Sequence, residues 1–345
     1  MIFIKNYNIT IKDIAKKANV SVSTVSRVIN NKPDVNEKTR EKVINIIKKY
    51  NYQPNDVARG LKLKETFSIG LVIPDISNPF FPEVARGVED CGNDSSYSVI
   101  LSNTDNNNKR EQNAIKFMLN KQIDGIILTL STQNKDILYN LEENNIPVVQ
   151  LDRNIPESKY PTVFSDNKRS AYNAVSFLID KGYKKIAHIA GNLSTNTGLN
   201  RKAGYIKALE ENGIIVPDEY IQFGEFNEES GYKGMKNLIE LSDKIPEAVF
   251  VANDLMCLGA YEACKEKELS IPEDIAIIGH DNVEFSRFID PPLTTMAQKK
   301  YLLGKYACEK LLIMINQKKQ QKNTFCGKGI KDKVLNTSLV ARSSC

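Results

Sequence analysis

The sequence predicts a small all-helical head joined to a larger body of two α/β lobes (α+α/β), and three observations carry that expectation. Positive charge is concentrated at the N-terminus. Residues 1–64 hold 11 Lys and three Arg against five acids, a net charge of +9, which leaves −4 for the rest of a chain whose total is +5. Apolar residues recur at helical spacing up to residue 50, and from residue 67 in short blocks separated by helical stretches. Many of those blocks end on Asp, Asn or Gln. At 345 residues the chain is long enough for two or three domains with real cores.

In the head, Thr10 is placed to cap a helix over 11–18 that turns Ile11, Ile14 and Ala15 inward. Asn19 ends it, because Asn tolerates the left-handed conformation that a sharp turn needs. Ser21 caps a second helix of odd composition. "VSVSTVSRVIN" is rich in β-branched and hydroxyl side chains, each costing up to roughly 0.5–0.7 kcal/mol relative to Ala in a helix interior. Val22, Val25 and Ile29 form an apolar stripe, and the opposite face shows hydroxyls, small groups and Arg27. A third helix starts near Asn36, with Glu37 in its first turn and Val43, Ile46, Ile47 and Tyr50 toward the core. Short helix, tight turn and short helix match helix-turn-helix geometry. A thin, hydroxylated face lets a recognition helix bring its backbone close to base edges in the major groove. With the basic charge, this predicts double-stranded DNA as the partner. A plain three-helix bundle is the competing reading.

The head thus spans residues 1–53, and a hinge helix and linker spans 54–66. Pro54 breaks the third helix. Asn55 is placed to cap a short helix over "DVARGLK", which Gly60 weakens in isolation. Leu61 has no local core to enter. It reads either as a wedge between bases in a minor groove, in a hinge that orders on DNA, or as a stray apolar residue in a linker.

The body, residues 67–345, carries ten apolar runs: "FSIGLVIPD", "YSVILSNTD", "DGIILTL", "PVVQLD", "TVFSD", "KIAHIAG", "IQFGEF", "AVFVAND", "IAIIGHD" and "TTMAQ". Helices are expected near 80–95, 109–121, 168–181, 200–212, 228–241, 255–267 and 301–316. Repeated βα units imply parallel sheets, and ten strands imply two doubly wound lobes with a cleft between them. Asp75, Asp152, Asp166, Asn253, Asp254, Asp281 and Gln298 stand at run ends, where open α/β sheets bind ligands. Such side chains suit a polyhydroxyl ligand, whose groups both donate and accept. Phe80 and Phe81 in "SNPFFPE" add faces that stack on a sugar ring.

Other functions find little support. The chain lacks G-x-S-x-G, G-x-x-x-x-G-K-[ST] and H-E-x-x-H, so no enzyme is expected. His280 lies beside Asp281 with no nucleophile near in sequence, and His188 reads as a satisfied buried histidine. Six scattered cysteines read as reduced thiols, with no metal site and no cofactor. No run of about 18 apolar residues appears, and "MIFIKNYNITIKD" has no signal-peptide core, so the expected compartment is the cytoplasm with no membrane partner.

The stretch "TIKDIAKKANVSVSTVSRVINNKPDVNEKTREKVINIIKKYNYQPNDVARGLK" resembles the DNA-binding head and hinge helix of the LacI/GalR repressor family. "IGLVIPDISNPFFPEVARGVED", "VFVANDLMCLGAYEA", "IPEDIAIIGHDN" and "PPLTTMAQ" resemble its sugar-binding core. The resemblance covers nearly the whole chain from Thr10. It implies a homodimeric repressor with a periplasmic-binding-protein-like core, released from a pseudo-palindromic operator by a small sugar. It places Thr10, Lys12, Ser21, Val22, Ser23, Thr24, Arg27, Asn30, Tyr52, Asn55, Ala58 and Leu61 at DNA-contacting positions, with Val22 and Ser23 at the pair that usually sets base preference. It places Asn78, Phe80, Phe81, Asp152, Arg153, Phe226, Asn253, Asp281 and Gln298 in an effector pocket most like that of ribose-operon repressors. One position departs: Leu199 stands where ribose-binding proteins carry Arg, and Arg201, the Arg usual in the repressors, stands in for it. The stretch 318–333 is more basic and irregular than the family's usual end, and no leucine heptads follow residue 330 to build a tetramer. "PDISNPFFPEVARGVED" and "ILSNTDNNNKREQ" also resemble global regulators of this fold that take a phosphorylated carrier protein as corepressor, which is the alternative function.

Overall fold

Side-chain caps start each helix of the head. In α1 (Ile11–Ala18) the Thr10 hydroxyl accepts the Asp13 N–H, while the Asp13 carboxylate accepts the Thr10 N–H at 2.9 Å. Asn19 then takes φ 54° and turns the chain. The Ser21 hydroxyl accepts the Thr24 N–H at 3.1 Å to start α2 (Val22–Ile29). The Asn36 side chain accepts the Lys38 N–H at 2.9 Å to start α3 (Glu37–Lys49). Ile14, Ala15, Ala18, Val25, Val28 and Val43 form the core, flanked by the half-buried Ile11, Ile29, Ile46 and Ile47.

Two expectations fail here. Val22 is 40% exposed and outside the stripe. Val25 and Val28 set the buried direction of α2, and Val22 falls about 60° and 120° from them at about 100° per residue. Tyr50 is 41% exposed, because α3 ends at Lys49; its ring lies under the Lys17 ammonium at 4.4 Å.

The structure is a computed structural model that describes residues 9–29, 31–52, 65–131, 135–155, 158–241, 245–320 and 329–345. It divides into two compact units, Met1–Thr66 and Phe67–Cys345. Asn30, Asn55, Ala58, Leu61 and most of the expected hinge lie outside the described residues, as does much of the stretch 318–333.

The second unit has two lobes. β1 (Ser68–Ile73), β2 (Ser98–Asn103), β3 (Gly125–Leu128), β4 (Val148–Leu151) and β5 (Thr162–Ser165) belong to the first. β6 (Ile186–Ala190), β7 (Ile221–Phe223), β8 (Ala248–Val251), β9 (Ala276–Asp281) and β10 (Thr294–Ala297) belong to the second. These are the ten apolar runs. Two short strands unforeseen in the sequence, β11 (Lys333–Leu335) and β12 (Ser338–Val340), complete one sheet each. The orders are β11-β5-β4-β3-β1-β2 and β12-β10-β9-β8-β6-β7. All neighbours are parallel except β12 against β10. Inner strands such as β3, β4 and β8 are buried at every residue, which is why they read as continuous apolar runs.

The connecting helices are α4 (Phe80–Asp94), α5 (Asn108–Asn120), α6 (Asp136–Glu143), α7 (Asn167–Asp180), α8 (Asn196–Glu211), α9 (Glu228–Ile239), α10 (Asp254–Glu266) and α11 (Lys300–Gln320). The chain crosses between lobes three times: from β5 into α7, from β10 through Gln298 into α11, and from β11 through Asn336 and Thr337 into β12. α11 returns to the first lobe, where Leu303, Ala307, Leu311 and Met314 join its core. Among the described residues no helix is long and apolar enough to cross a membrane, and no cluster of three His, Cys, Asp or Glu could hold a metal ion. The five cysteines described are free and buried.

Candidate functional site

At the carboxyl ends of the strands, eleven residues line a narrow cavity. Asn78, Phe80 and Phe81 come from the turn after β1 and the start of α4, and Asp152 and Arg153 from the end of β4. Thr197 and Arg201 come from the first turns of α8 after β6, and Phe226 from the loop after β7. Asn253 follows β8, Asp281 ends β9 and Gln298 follows β10. Both lobes therefore contribute.

The backbone is forced at this site. Asp152, Phe226 and Asp281 take φ of 60°, 62° and 117°, a conformation that costs non-glycine residues about 1–3 kcal/mol each. Gly191 makes room for the Phe226 ring, since a Cβ there would lie 2.1 Å from it. The ring in turn lies 5.5 Å from the Arg153 guanidinium and 5.9 Å from that of Arg201. Arg153 is held by the Asn106 side chain at 2.8 Å, and Arg201 by the Asn167 side chain at 2.8 Å and the Ala252 carbonyl at 2.5 Å. Three buried polar atoms of the lining have no hydrogen-bond partner in the structure: Asp152 Oδ1, Arg153 Nε and Gln298 Oε1.

Two cations and two carboxylates are thus enclosed together. Burial pushes the Asp152 carboxyl up, against the pull of Arg201 and Arg153. Burial also lowers both guanidinium groups, partly offset by Asp152 at Arg153 and by Asp281 and Asp152 at Arg201. Burial works to raise Asp281 as well, but the His280 hydrogen bond, the Arg201 charge and the Gln298 amide outweigh it and hold that carboxyl below its ordinary range. Behind it, burial and the Asp281 charge push Asp254 up to about 8, despite hydrogen bonds from the Thr295 hydroxyl at 2.6 Å and the Val283 N–H at 2.9 Å.

On the head, the surface of α2 displays Ser21, Val22, Ser23 and Arg27, with Thr24 half-buried, while Val25 and Val28 face the core. The Ser21 hydroxyl lies 2.7 Å from that of Ser23 and 2.8 Å from that of Thr24, so the three form one polar ridge. Arg27 pairs with Asp34 at 3.3 Å. Thr10 and Lys12 are exposed at the start of α1, and Tyr52 is half-buried.

Comparison with known proteins gives this arrangement a family. Residues 10–55 match the family described as "Bacterial regulatory proteins, lacI family", and residues 66–326 match "Periplasmic binding proteins and sugar binding domain of LacI family". The chain belongs to the LacI family. This LacI-family protein is a DNA-binding transcriptional repressor with a sugar-binding domain. It is 40% identical over 311 residues to catabolite control protein A of Priestia megaterium, covering 90% of this chain and 93% of that one. It superposes on the Lac repressor dimer bound to operator and the anti-inducer ONPF with a TM-score of 0.83, at 28% identity, over 97% of this chain and 98% of that one. It also superposes on a LacI family transcriptional regulator from Enterococcus faecium with bound ribose, with a TM-score of 0.69, at 30% identity, over 80% of this chain and 98% of that one.

In this LacI-family chain the structure brings together all ten residues named from the sequence for the effector pocket, Arg201 included. Leu199 is 45% exposed and outside the lining. Three polar residues at run ends do not join them. Asp166 caps α7 through the Arg169 N–H, Asp75 closes a turn on Ser77, and Asp254 is buried behind Asp281. Thr197 is the lining residue that the sequence reading missed. It is the second residue of the helix after a strand, not at the run end itself. His188 is half satisfied: Nδ1 pairs with the Phe250 carbonyl at 2.8 Å, and Nε2 has no partner.

Proposed function

We propose that this repressor controls a sugar-utilisation operon, binds a pseudo-palindromic operator as a homodimer in the cytoplasm, and is released by a small sugar, ribose first. The carrying observation is the trio of orphaned polar atoms in a cavity edged by Phe80, Phe81 and Phe226. A buried polar group without a partner costs about 1–3 kcal/mol. Asp152 Oδ1 and Gln298 Oε1 accept and Arg153 Nε donates, and sugar hydroxyls do both. The rings supply apolar faces for the C–H side of the sugar. The Enterococcus faecium regulator with bound ribose supports a pentose as the first choice.

For DNA, the ridge of Ser21, Ser23 and Thr24 with Val22 and Arg27 is the proposed recognition surface, joined by Thr10, Lys12, Asn30 and Tyr52 and by Asn55, Ala58 and Leu61 of the hinge. The Lac repressor dimer bound to operator supports a dimer on a two-fold site. Binding falls steeply with salt, because a basic head releases counterions from the duplex. Sugar and operator favour different arrangements of the lobes, so each weakens the other by the same factor, typically about 5 to 150.

The test is operator anisotropy with and without D-ribose, alongside calorimetry of ribose on the DNA-free protein. Ribose is expected to bind and to weaken the operator complex. Asp281→Ala is expected to bind operator normally and to ignore ribose. If no free pentose or hexose changes operator affinity, while a phosphorylated carrier protein raises it, the inducer reading is wrong and the corepressor alternative replaces it.

A further inference from the structure

Asp281 is where polar contacts from all three interlobe crossovers converge. From the second crossover, the Gln298 amide donates to Asp281 Oδ1 at 2.7 Å, and the Lys300 ammonium donates to the Asp281 carbonyl at 2.9 Å. From the first, Asn167 orients Arg201, whose guanidinium lies 3.7 Å from the same Oδ1. From the third, the connection is longer. The Thr337 hydroxyl, between β11 and β12, donates to the Ser170 hydroxyl at 2.8 Å. Ser170 lies 2.8 Å from His280 Nε2, and His280 Nδ1 lies 3.0 Å from Asp281 Oδ1.

The direction of this relay follows from counting protons. Ser170 accepts from Thr337, so its own proton is free for His280 Nε2. The imidazole then carries its proton on Nδ1 and donates it to Asp281. The ring is neutral: burial, joined by the charges of Arg201 and Lys300, outweighs the hydrogen bond and charge of Asp281 and lowers its titration to about 4. His280 lies outside the cavity lining, and the family resemblance gives it no role. Building on the effector pocket proposed above, we propose that His280 is a positioning residue that ties the orientation of Asp281 to the β11–β12 crossover, so that one imidazole couples effector binding to the conformation of that crossover.

The chain holds only two histidines, His188 and His280, so the ring is observable by NMR of the full-length, histidine-labelled protein. The expected signature is a neutral His280 with the proton on Nδ1 and no titration above pH 5. Thr337→Val should shift its Nε2 resonance and leave His188 unmoved. A proton on Nε2, titration near pH 6.5, or a His280 signal indifferent to Thr337→Val overturns the proposal. This arm needs no ligand. The second arm uses D-ribose and operator. His280→Phe keeps the ring's shape and removes both hydrogen bonds, and is expected to weaken ribose binding about tenfold to hundredfold. His280→Asn restores a donor near Nδ1 and should recover most of that loss, which a merely structural ring would not permit. Thr337→Val should leave ribose affinity within about threefold and reduce the effect of ribose on operator binding. Equal losses in the Phe and Asn variants refute positioning. A wild-type protein that shows the expected histidine signature but ignores ribose refutes the sugar assignment and leaves the relay standing.

Discussion

Arg27 has two claims on its guanidinium. In the free protein it pairs with Asp34 at 3.3 Å, both side chains more than half exposed. Such a pair is worth about 0–1 kcal/mol, less than the roughly 1–3 kcal/mol of a bidentate contact to a base. If Arg27 reads a base as proposed, DNA wins the group. Arg27→Ala is expected to weaken operator binding about 5- to 150-fold. Asp34→Asn is expected to strengthen it, most at low salt, because it removes both a competitor and a repelling charge. Anisotropy at two salt concentrations checks both, and an Asp34→Asn protein that binds no better would show that the pair does not compete with DNA. At this scale the sequence says what a residue is and not how it is used. Asp166 and Asp281 both follow an apolar run, yet one caps a helix and the other lines the cavity. A cap and a ligand contact call for the same chemistry at the same place, so only the fold separates them.

At the scale of elements, the ten strands were legible because parallel strands covered on both faces are apolar throughout. β11 and β12 were not. Each has three residues of which the first two are exposed, so their pairing depends on partners more than 40 residues away. The caps Thr10, Ser21 and Asn36 were legible from residue type, whereas Val22 was misplaced because it lies off the buried direction that Val25 and Val28 set, and Tyr50 because α3 stops at Lys49. The loop carrying Phe226 depends on a neighbouring loop in the same way. Gly191→Ala would bring a Cβ to 2.1 Å from that ring. Overpacking of this kind costs about 1–3 kcal/mol unless the ring moves, and if it moves the cavity loses an aromatic wall. The variant is expected to lose about tenfold or more in ribose affinity while binding operator normally in its absence. Combining it with Phe226→Ala should add no further loss, since the ring is already displaced. Calorimetry on the single and double variants decides, and full additivity would place the two residues in separate sites.

For the whole molecule, the buried ionisable groups set opposing slopes of stability against pH. Burial depresses His188 and His280 to about 4 from an ordinary 6.5. Between those values the unfolded chain takes up protons and the folded chain does not. The stability contributed by each neutral ring is therefore complete above 6.5 and lost as pH falls toward 4, by up to about 3 kcal/mol per ring. Asp281, depressed below its ordinary range, acts in the same direction at lower pH. Asp254 acts the other way. Its carboxyl is raised from 3.8 to about 8, so the stability of its protonated form is complete below about 4 and declines as pH rises through 8. Asp152, also raised by burial, adds to that decline. The two slopes imply a maximum between them, near neutrality or just below. Urea midpoints at pH 5, 6.5 and 8 should trace it. Asp254→Asn keeps an acceptor for the Val283 N–H and meets the Thr295 hydroxyl with an amide that donates to it, without an ionisable proton, so it should raise the midpoint relative to the parent far more at pH 8 than at pH 5. His280→Asn should flatten the acid side alone. A protein whose midpoints respond to neither substitution in the assigned direction would mean that these groups titrate alike in the folded and unfolded chains.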